Sequence, residues 1–229
     1  AIPHIPCTTG QIYPIKEICA LARSKGIYTI VDGAHGPGML DLNLKDIGCD
    51  VYAACCHKWM MGPIGTGFMY IREELIEEAE VVYVGGHSDN GWVLNTKEQE
   101  IKSFQINAHK FHFGTQNYAN FYGINAAVAF HEKIGKKRIQ RRVKTLNSYL
   151  YEELKTLAPF VQLITTNEQE SRAGIVTFTM KGVSSKDFVR KLRTRKIMMR
   201  YLPEAGHHAV RISTHIYNQF DELDRIMEI

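Results

Sequence analysis

The stretch Val31-Asp32-Gly33-Ala34-His35-Gly36-Pro37 ends a short β-branched run that begins at Ile27, and it puts an aspartate where the chain turns. A second stretch, Tyr52-Ala53-Ala54-Cys55-Cys56-His57-Lys58-Trp59, ends another apolar run with a lysine. Short apolar runs bounded by turn residues are typical of buried strands. The pattern therefore predicts two strands, one with an acid and one with an amine at its carboxyl end.

An acid and an amine placed in this way suit the chemistry of pyridoxal 5′-phosphate (PLP). The amine of Lys58 can form a Schiff base with the PLP aldehyde, and the Asp32 carboxylate can keep the pyridine nitrogen protonated so that the ring accepts electrons. We therefore interpret both as catalytic residues. The simpler alternatives are a lysine whose ammonium lies in water and a turn aspartate assisted by Gly33.

The two stretches together resemble the class V aminotransferase family of fold-type I PLP-dependent enzymes. Asp32-x-x-His35 resembles the family's Asp-x-x-Gln/His element, His57-Lys58 resembles its His-Lys element, and a glycine-rich segment, Gly62 to Gly67, follows. Histidine at position 35, together with Cys56-His57-Lys58-Trp59, is most similar to the isopenicillin N epimerase-like branch. Family members have a long N-terminal portion, so the resemblance implies that this chain is the C-terminal part of a longer protein.

The order of predicted elements indicates an α/β fold. Helices alternate with short strands through the first half, which favours a mostly parallel sheet with crossover helices. The resemblance implies that residues 1–135 are the C-terminal part of the PLP-binding large domain and that residues 136–229 form a small α+β domain. The pattern predicts a helix over 73–79 and an irregular, functional or disordered segment over 84–117.

The resemblance also assigns further residues to the site. It implies that His35 lies near the phenolic oxygen of the cofactor, that His57 and Cys55 contact its phosphate, and that Arg211 grips the α-carboxylate of the substrate. A thiol donates more weakly than the serine hydroxyl found in many relatives, which weakens the Cys55 contact. Gly114 and Thr115 resemble an element that reaches the phosphate of the neighbouring subunit, which implies a homodimer with shared active sites. Packing for the histidines, a helix cap for Thr115 and a surface position for Arg211 are the alternatives.

Composition excludes several other classes. The apolar fraction is 45%, and the net charge of +4 is mild. No recognised nucleic-acid module accompanies the basic residues, and no apolar run is long enough to span a membrane, so we expect neither partner. The five cysteines do not form a disulfide framework, which favours a reducing, cytoplasmic location. Cys55-Cys56-His57 lacks the spacing of a zinc site, so we expect no metal.

The predicted function is a PLP-dependent enzyme that acts on an amino acid. Transamination, epimerisation or racemisation, and β-elimination all begin with the loss of a proton from Cα, so the motif does not separate them. The alternative is a non-catalytic fragment that serves as a dimerisation or scaffold module. Cysteine desulfurases of the family carry a nucleophilic cysteine before the substrate arginine, and the stretch from Met198 to Arg211 contains none. On that ground the sequence disfavours a persulfide-forming cysteine desulfurase.

Overall fold

The computed structural model describes residues 1–94, 97 and 99–228. Its strands are numbered in chain order: β1 (Ile2–Pro3), β2 (Ile30–Asp32), β3 (Val51–Cys55), β4 (Gly67–Ile71), β5 (Trp92–Leu94), β6 (Gln99–Ile101), β7 (Val161–Leu163), β8 (Ile175–Met180), β9 (Arg200–Leu202) and β10 (Ala209–Ser213). Its α-helices are α1 (Ile15–Ser24), α2 (Leu44–Ile47), α3 (Tyr118–Ile134), α4 (Lys136–Thr156), α5 (Ser185–Thr194) and α6 (Phe220–Met227).

Two four-stranded sheets form the framework. The first has the order β1-β2-β3-β4, in which β1, β2 and β3 are parallel and β4 is antiparallel to β3. The second has the order β7-β8-β10-β9 and is antiparallel throughout. The predicted α/β class with a mostly parallel first sheet is confirmed. The division at residues 135 and 136 stays a prediction.

The first sheet packs one face against α1. Val31 and Tyr52 point into this layer and are fully buried, together with Cys19 and Ile15 of the helix. The Tyr52 ring also dictates the residue after Asp32, because a Cβ at Gly33 would lie 1.8 Å from it. The chain can therefore turn directly after Asp32 only with glycine at this position. The turn that follows the acid is thus fixed by packing underneath it.

The second sheet is covered by α4. Leu146, Leu150 and Leu154 of the helix pack on Val176 and Phe178 of β8. A separate cluster joins the regions on either side of residue 135, because Trp59 packs there with Ile5, Met39, Val143, Ala173 and Ile175. Trp59 directly follows Lys58, so the predicted cofactor lysine is anchored next to this junction.

Two of the predicted elements differ from the structure. The helix predicted over 73–79 is only a 3₁₀ turn, Glu73–Leu75. The segment 84–117 contains the antiparallel pair β5–β6 and a second 3₁₀ turn, Ala108–Phe111. The segment 84–117 is polar and aromatic with no clean period, which is why the pattern did not predict β5 and β6.

Candidate active site

The parallel pairing of β2 and β3 positions Asp32 beside the strand that leads to Lys58. Asp32 ends β2 and lies opposite Ala53 of β3, the strand after which Lys58 follows. The Asp32 side chain is exposed, and its Oδ1 accepts a hydrogen bond from the backbone N–H of Ala34 over 2.9 Å. That contact holds the carboxylate at the turn. The turn reading and the catalytic reading of Asp32 are therefore compatible.

Lys58 is exposed, and its Nζ makes no hydrogen bond or ion pair with any residue that the structure describes. It lines an open cavity of about 340 Å³. Two other predicted site residues, His35 and Arg211, line the same cavity. The remaining lining residues are Cys7, Trp59, Arg200, Ser213, His215 and Tyr217. An amine without an ion-pair partner, two imidazoles and two guanidinium groups thus line one space, and of the guanidinium groups only that of Arg200 has a carboxylate partner among the described residues, Glu204.

Arg211 has hydrogen-bonding capacity that the protein does not use. It lies on β10 opposite Arg200 of β9, its Nη1 is 3.4 Å from the Cys7 carbonyl oxygen, and its Nε is buried with no partner among the described residues. Burial and the neighbouring Arg200 guanidinium lower the pKa of Arg211, whereas Cys7 and Glu204 oppose that shift. A half-buried guanidinium without a carboxylate partner is suited to bind an anion.

His35 is buried beside the cavity. Its Nδ1 lies 3.0 Å from the indole Nε1 of Trp59. Burial, followed by the charges of Lys58 and Arg211, lowers the pKa of His35 to about 4, while Asp32 acts in the opposite direction. The ring is therefore neutral near pH 7.

His57 and Cys55 are close to Lys58 in sequence, but neither lines the cavity. His57 is exposed, and its Nδ1–H donates to the Thr66 carbonyl over 3.0 Å, which fixes the ring. Cys55 is half-buried at the end of β3, opposite Gly67 of β4. Their predicted contacts with a phosphate group stay predictions.

Gly114 and Thr115 also lie outside this cavity. Gly114 has a φ of 143°, a conformation that favours glycine, and Thr115 is exposed. The alternative reading of Thr115 as a helix cap is wrong, because α3 begins at Tyr118 with Asn117 at its N-cap. The predicted contact of Gly114 and Thr115 with the active site of a partner subunit stays a prediction.

Several cavity residues were not predicted from the sequence as parts of the site. Arg200 belongs there because β9 pairs antiparallel with β10 and brings it opposite Arg211. His215 and Tyr217 follow β10 directly. Cys7 follows β1, a two-residue strand that is parallel to β2. The separation of four residues between Arg211 and His215 could have indicated that both lie on one face of an extended segment. The pairings of β9 with β10 and of β1 with β2 could not be inferred from such a spacing.

Two further properties concern the described part of the chain. No group of three histidine, cysteine, aspartate or glutamate residues is arranged there to hold a metal ion. None of the helices in that part combines the length and the apolar character that crossing a bilayer would need.

Comparison with known proteins relates the chain to one family. The model of the family described as aminotransferase class-V matches residues 1–226. A probable cysteine desulfurase of Xylella fastidiosa (strain Temecula1) is 31% identical, and the match covers 99% of this chain and 55% of the relative. An isopenicillin N epimerase of Streptomyces clavuligerus is 29% identical, with 98% and 57% covered. The chain therefore spans a little over half the length of these curated relatives.

Solved structures give the same result for the fold. The apo structure of a cysteine desulfurase from Thermococcus onnurineus NA1 has a TM-score of 0.89 and 27% identity, with 99% of this chain and 57% of that chain covered. A mutant of C-DES, solved with glycine covalently linked to its PLP cofactor, has a TM-score of 0.87 and 26% identity, with 99% and 58% covered.

The comparison with cysteine desulfurases corrects one prediction. The expectation that the chain is not a persulfide-forming cysteine desulfurase is wrong, because cysteine desulfurases are among its most similar relatives and structural neighbours. The expectation rested on the absence of cysteine between Met198 and Arg211. The structure shows why one segment was too narrow a basis, since the cavity that Lys58 and Arg211 line also receives Cys7 from near the start of the chain.

Proposed function

Because the chain belongs to the class V aminotransferase family, we propose that its protein is a PLP-dependent enzyme that acts at the α-carbon of an amino acid. The observation that carries the proposal is the shared cavity of Lys58, His35 and Arg211. The alternative of a non-catalytic scaffold is not favoured, because the amine, the imidazole and the guanidinium remain together around one open space.

The groups around the cavity fit PLP and an amino acid. Lys58 offers an amine with no ion-pair partner among the described residues, as a covalent attachment point requires. Asp32 does not line the cavity, but it is an exposed carboxylate at the end of β2, the neighbour of β3. The orphaned Nε of Arg211 provides an unused donor. When bound, PLP supplies the electron sink that stabilises negative charge at Cα.

The chain's own residues then have distinct tasks. Lys58 Nζ would take the proton from Cα, which is the step that the candidate reactions share, while Asp32 would hold a proton at the pyridine nitrogen. Arg211 binds the α-carboxylate through its guanidinium fork and so orients the Cα–H bond. His35 would donate a hydrogen bond to the phenolic oxygen of PLP, and His57 and Cys55 would hold its phosphate. These tasks serve transamination, epimerisation and β-elimination alike, and the last includes cleavage of a carbon–sulfur bond.

Labelling of Lys58 tests the proposal directly. Borohydride reduction of the PLP-loaded full-length protein should add the mass of reduced PLP to the peptide that contains Lys58, because only a lysine amine can form the reducible bond. Peptide mass spectrometry measures the label. The Lys58→Arg variant keeps the charge but should take up none. Label on a different lysine, with none on Lys58, would refute the assignment.

A mixing experiment tests the proposed shared sites. If Thr115 completes the phosphate site of the partner subunit, Lys58→Ala and Thr115→Asp should each abolish activity. An equimolar mixture that re-pairs at random should regain about a quarter of wild-type activity, because about half of its dimers are mixed. One of the two sites in each mixed dimer is then free of both changes. Unfolding and refolding the two variants together, followed by an activity assay, measures the recovery. Absence of recovery in proven mixed dimers would mean that each site belongs to a single subunit.

A further inference from the structure

Trp59, the neighbour of Lys58, is held between two histidines. Its Nε1 lies 3.0 Å from Nδ1 of His35, and the two ring planes meet at 68°. On its other side the indole stacks on His215, with ring centroids 5.3 Å apart and planes 11° from parallel. The proposed catalytic and binding roles do not involve Trp59 or His215.

The contact with Trp59 restricts the proton on His35. An indole nitrogen is always a donor, so Nδ1 of His35 must be the acceptor. A cationic imidazole has no acceptor nitrogen, and the neutral form with its proton on Nδ1 has none at that position. Only the neutral ring with its proton on Nε2 satisfies the contact. That Nε2 has no hydrogen-bond partner among the described residues, and His35 lines the cavity.

The charges around His35 support the same state. Burial is the largest cause of its low pKa, and the positive charges of Lys58, Arg211 and Arg200 add to it. The Asp32 carboxylate is the opposing charge. The neutral ring therefore persists from neutral pH down to about the pKa of 4.

His215 in turn fixes the indole. The backbone N–H of Ile216 donates to Nδ1 of His215 over 2.9 Å, so the proton of that ring is on Nε2 and donates to the Trp59 carbonyl over 3.1 Å. Tyr217 stacks on the outer face of His215, with centroids 4.5 Å apart. Trp59 is only 5% exposed, so the indole has no room to turn away from His35.

We propose that Trp59 is a positioning residue: its indole N–H selects the Nε2–H tautomer of His35 and so turns His35 into a fixed hydrogen-bond donor facing the cavity. The acceptor it would suit is an anionic oxygen, and that part of the inference rests on the proposed function, in which the phenolic oxygen of PLP takes this place. Residues beyond β10 thereby control the proton of a residue that follows β2.

The tautomer can be measured without cofactor or activity. Long-range ¹H–¹⁵N NMR of the cofactor-free, histidine-labelled protein distinguishes a protonated from an unprotonated ring nitrogen, and the His35→Gln variant assigns the His35 signals by their loss. We expect His35 to be neutral and protonated at Nε2. Trp59→Phe keeps an aromatic ring but removes the donor, and should shift the tautomer ratio roughly 3- to 10-fold towards Nδ1–H. It should also raise the midpoint of the His35 titration.

Trp92 provides the matched control, because it is the only other tryptophan of the chain and is 56% exposed on β5. Trp92→Phe should leave the His35 signals unchanged. An Nδ1–H or cationic His35 in the wild-type protein at pH 7 would overturn the inference, as would an unchanged tautomer ratio in Trp59→Phe. If Trp59→Phe fails to fold, a second variant decides: the indole N–H signal of Trp59 must move in His35→Leu, because leucine offers no acceptor, and an unmoved signal refutes the contact.

The result of the tautomer measurement is independent of the result of labelling Lys58. A wild-type His35 with the Nε2–H tautomer and an unlabelled Lys58 would refute the proposed function and keep the role of Trp59. A labelled Lys58 with the opposite tautomer would do the reverse.

Discussion

Replacing Asp32 by asparagine is expected to reduce kcat by at least about 100- to 1000-fold while PLP remains bound. The amide keeps the shape of the side chain, and its oxygen can still accept the Ala34 N–H that Asp32 accepts over 2.9 Å. The turn should therefore survive. What is lost is the negative charge that holds a proton at the pyridine nitrogen, and with it much of the stabilisation of negative charge at Cα.

The measurement combines PLP content by absorbance with kcat for the substrate found by screening amino acids. Asp46→Asn is a suitable control, because Asp46 is an exposed acid whose ion pair with Lys16 is also exposed. It should leave kcat near the wild-type value. An Asp32→Asn enzyme that binds PLP and keeps near wild-type kcat would remove Asp32 from the catalytic residues.

Replacing Arg211 by lysine is expected to lower kcat/KM for amino acids by roughly 30- to 1000-fold, which corresponds to about 2–4 kcal/mol. An ammonium group cannot reproduce the two parallel hydrogen bonds of a guanidinium with a carboxylate. The cost is large because the Arg211 guanidinium is partly buried and its Nε lacks a partner within the described part of the chain. The loss should fall mainly on KM.

Amines that correspond to the decarboxylated substrates distinguish a role of Arg211 in carboxylate binding from a structural role. They lack the α-carboxylate, so Arg211→Lys should change their kcat/KM little. Arg190→Lys on the exposed side of α5 serves as the control, since that side chain is 81% exposed. Equal losses for amino acids and amines would show that Arg211 has a structural role. No loss for either would reopen the identity of the substrate class.

The catalytic core of the candidate site was predictable because its residues follow strands that have simple signatures. Lys58 and Asp32 end apolar runs, so each was visible as a polar residue in an apolar setting, whereas Arg211 lies within β10 and was assigned by the family resemblance. The family pattern then gave His35 its place.

The rest depended on pairings between distant parts of the chain. Arg200 enters the cavity only because β9 pairs with β10, and β9 has three residues. Cys7 enters through β1, whose two residues give no periodic signal. The tautomer of His35 depends on Trp59 and His215, which are brought together by tertiary packing. The desulfurase exclusion failed because it considered one short stretch of sequence, whereas the comparison with cysteine desulfurases extends over nearly the whole chain.

The parallel pairing of β2 and β3 has an evolutionary consequence. Asp32 and the strand that leads to Lys58 are aligned by backbone hydrogen bonds, with Asp32 opposite Ala53, and the connecting residues 33–50 do not set their separation. Insertions or deletions near the exposed end of α2 would leave the alignment in place. A register slip of one residue would instead turn each side chain of β3 to the opposite face. The chain around α2 can therefore change in length while Asp32 keeps its position opposite Ala53.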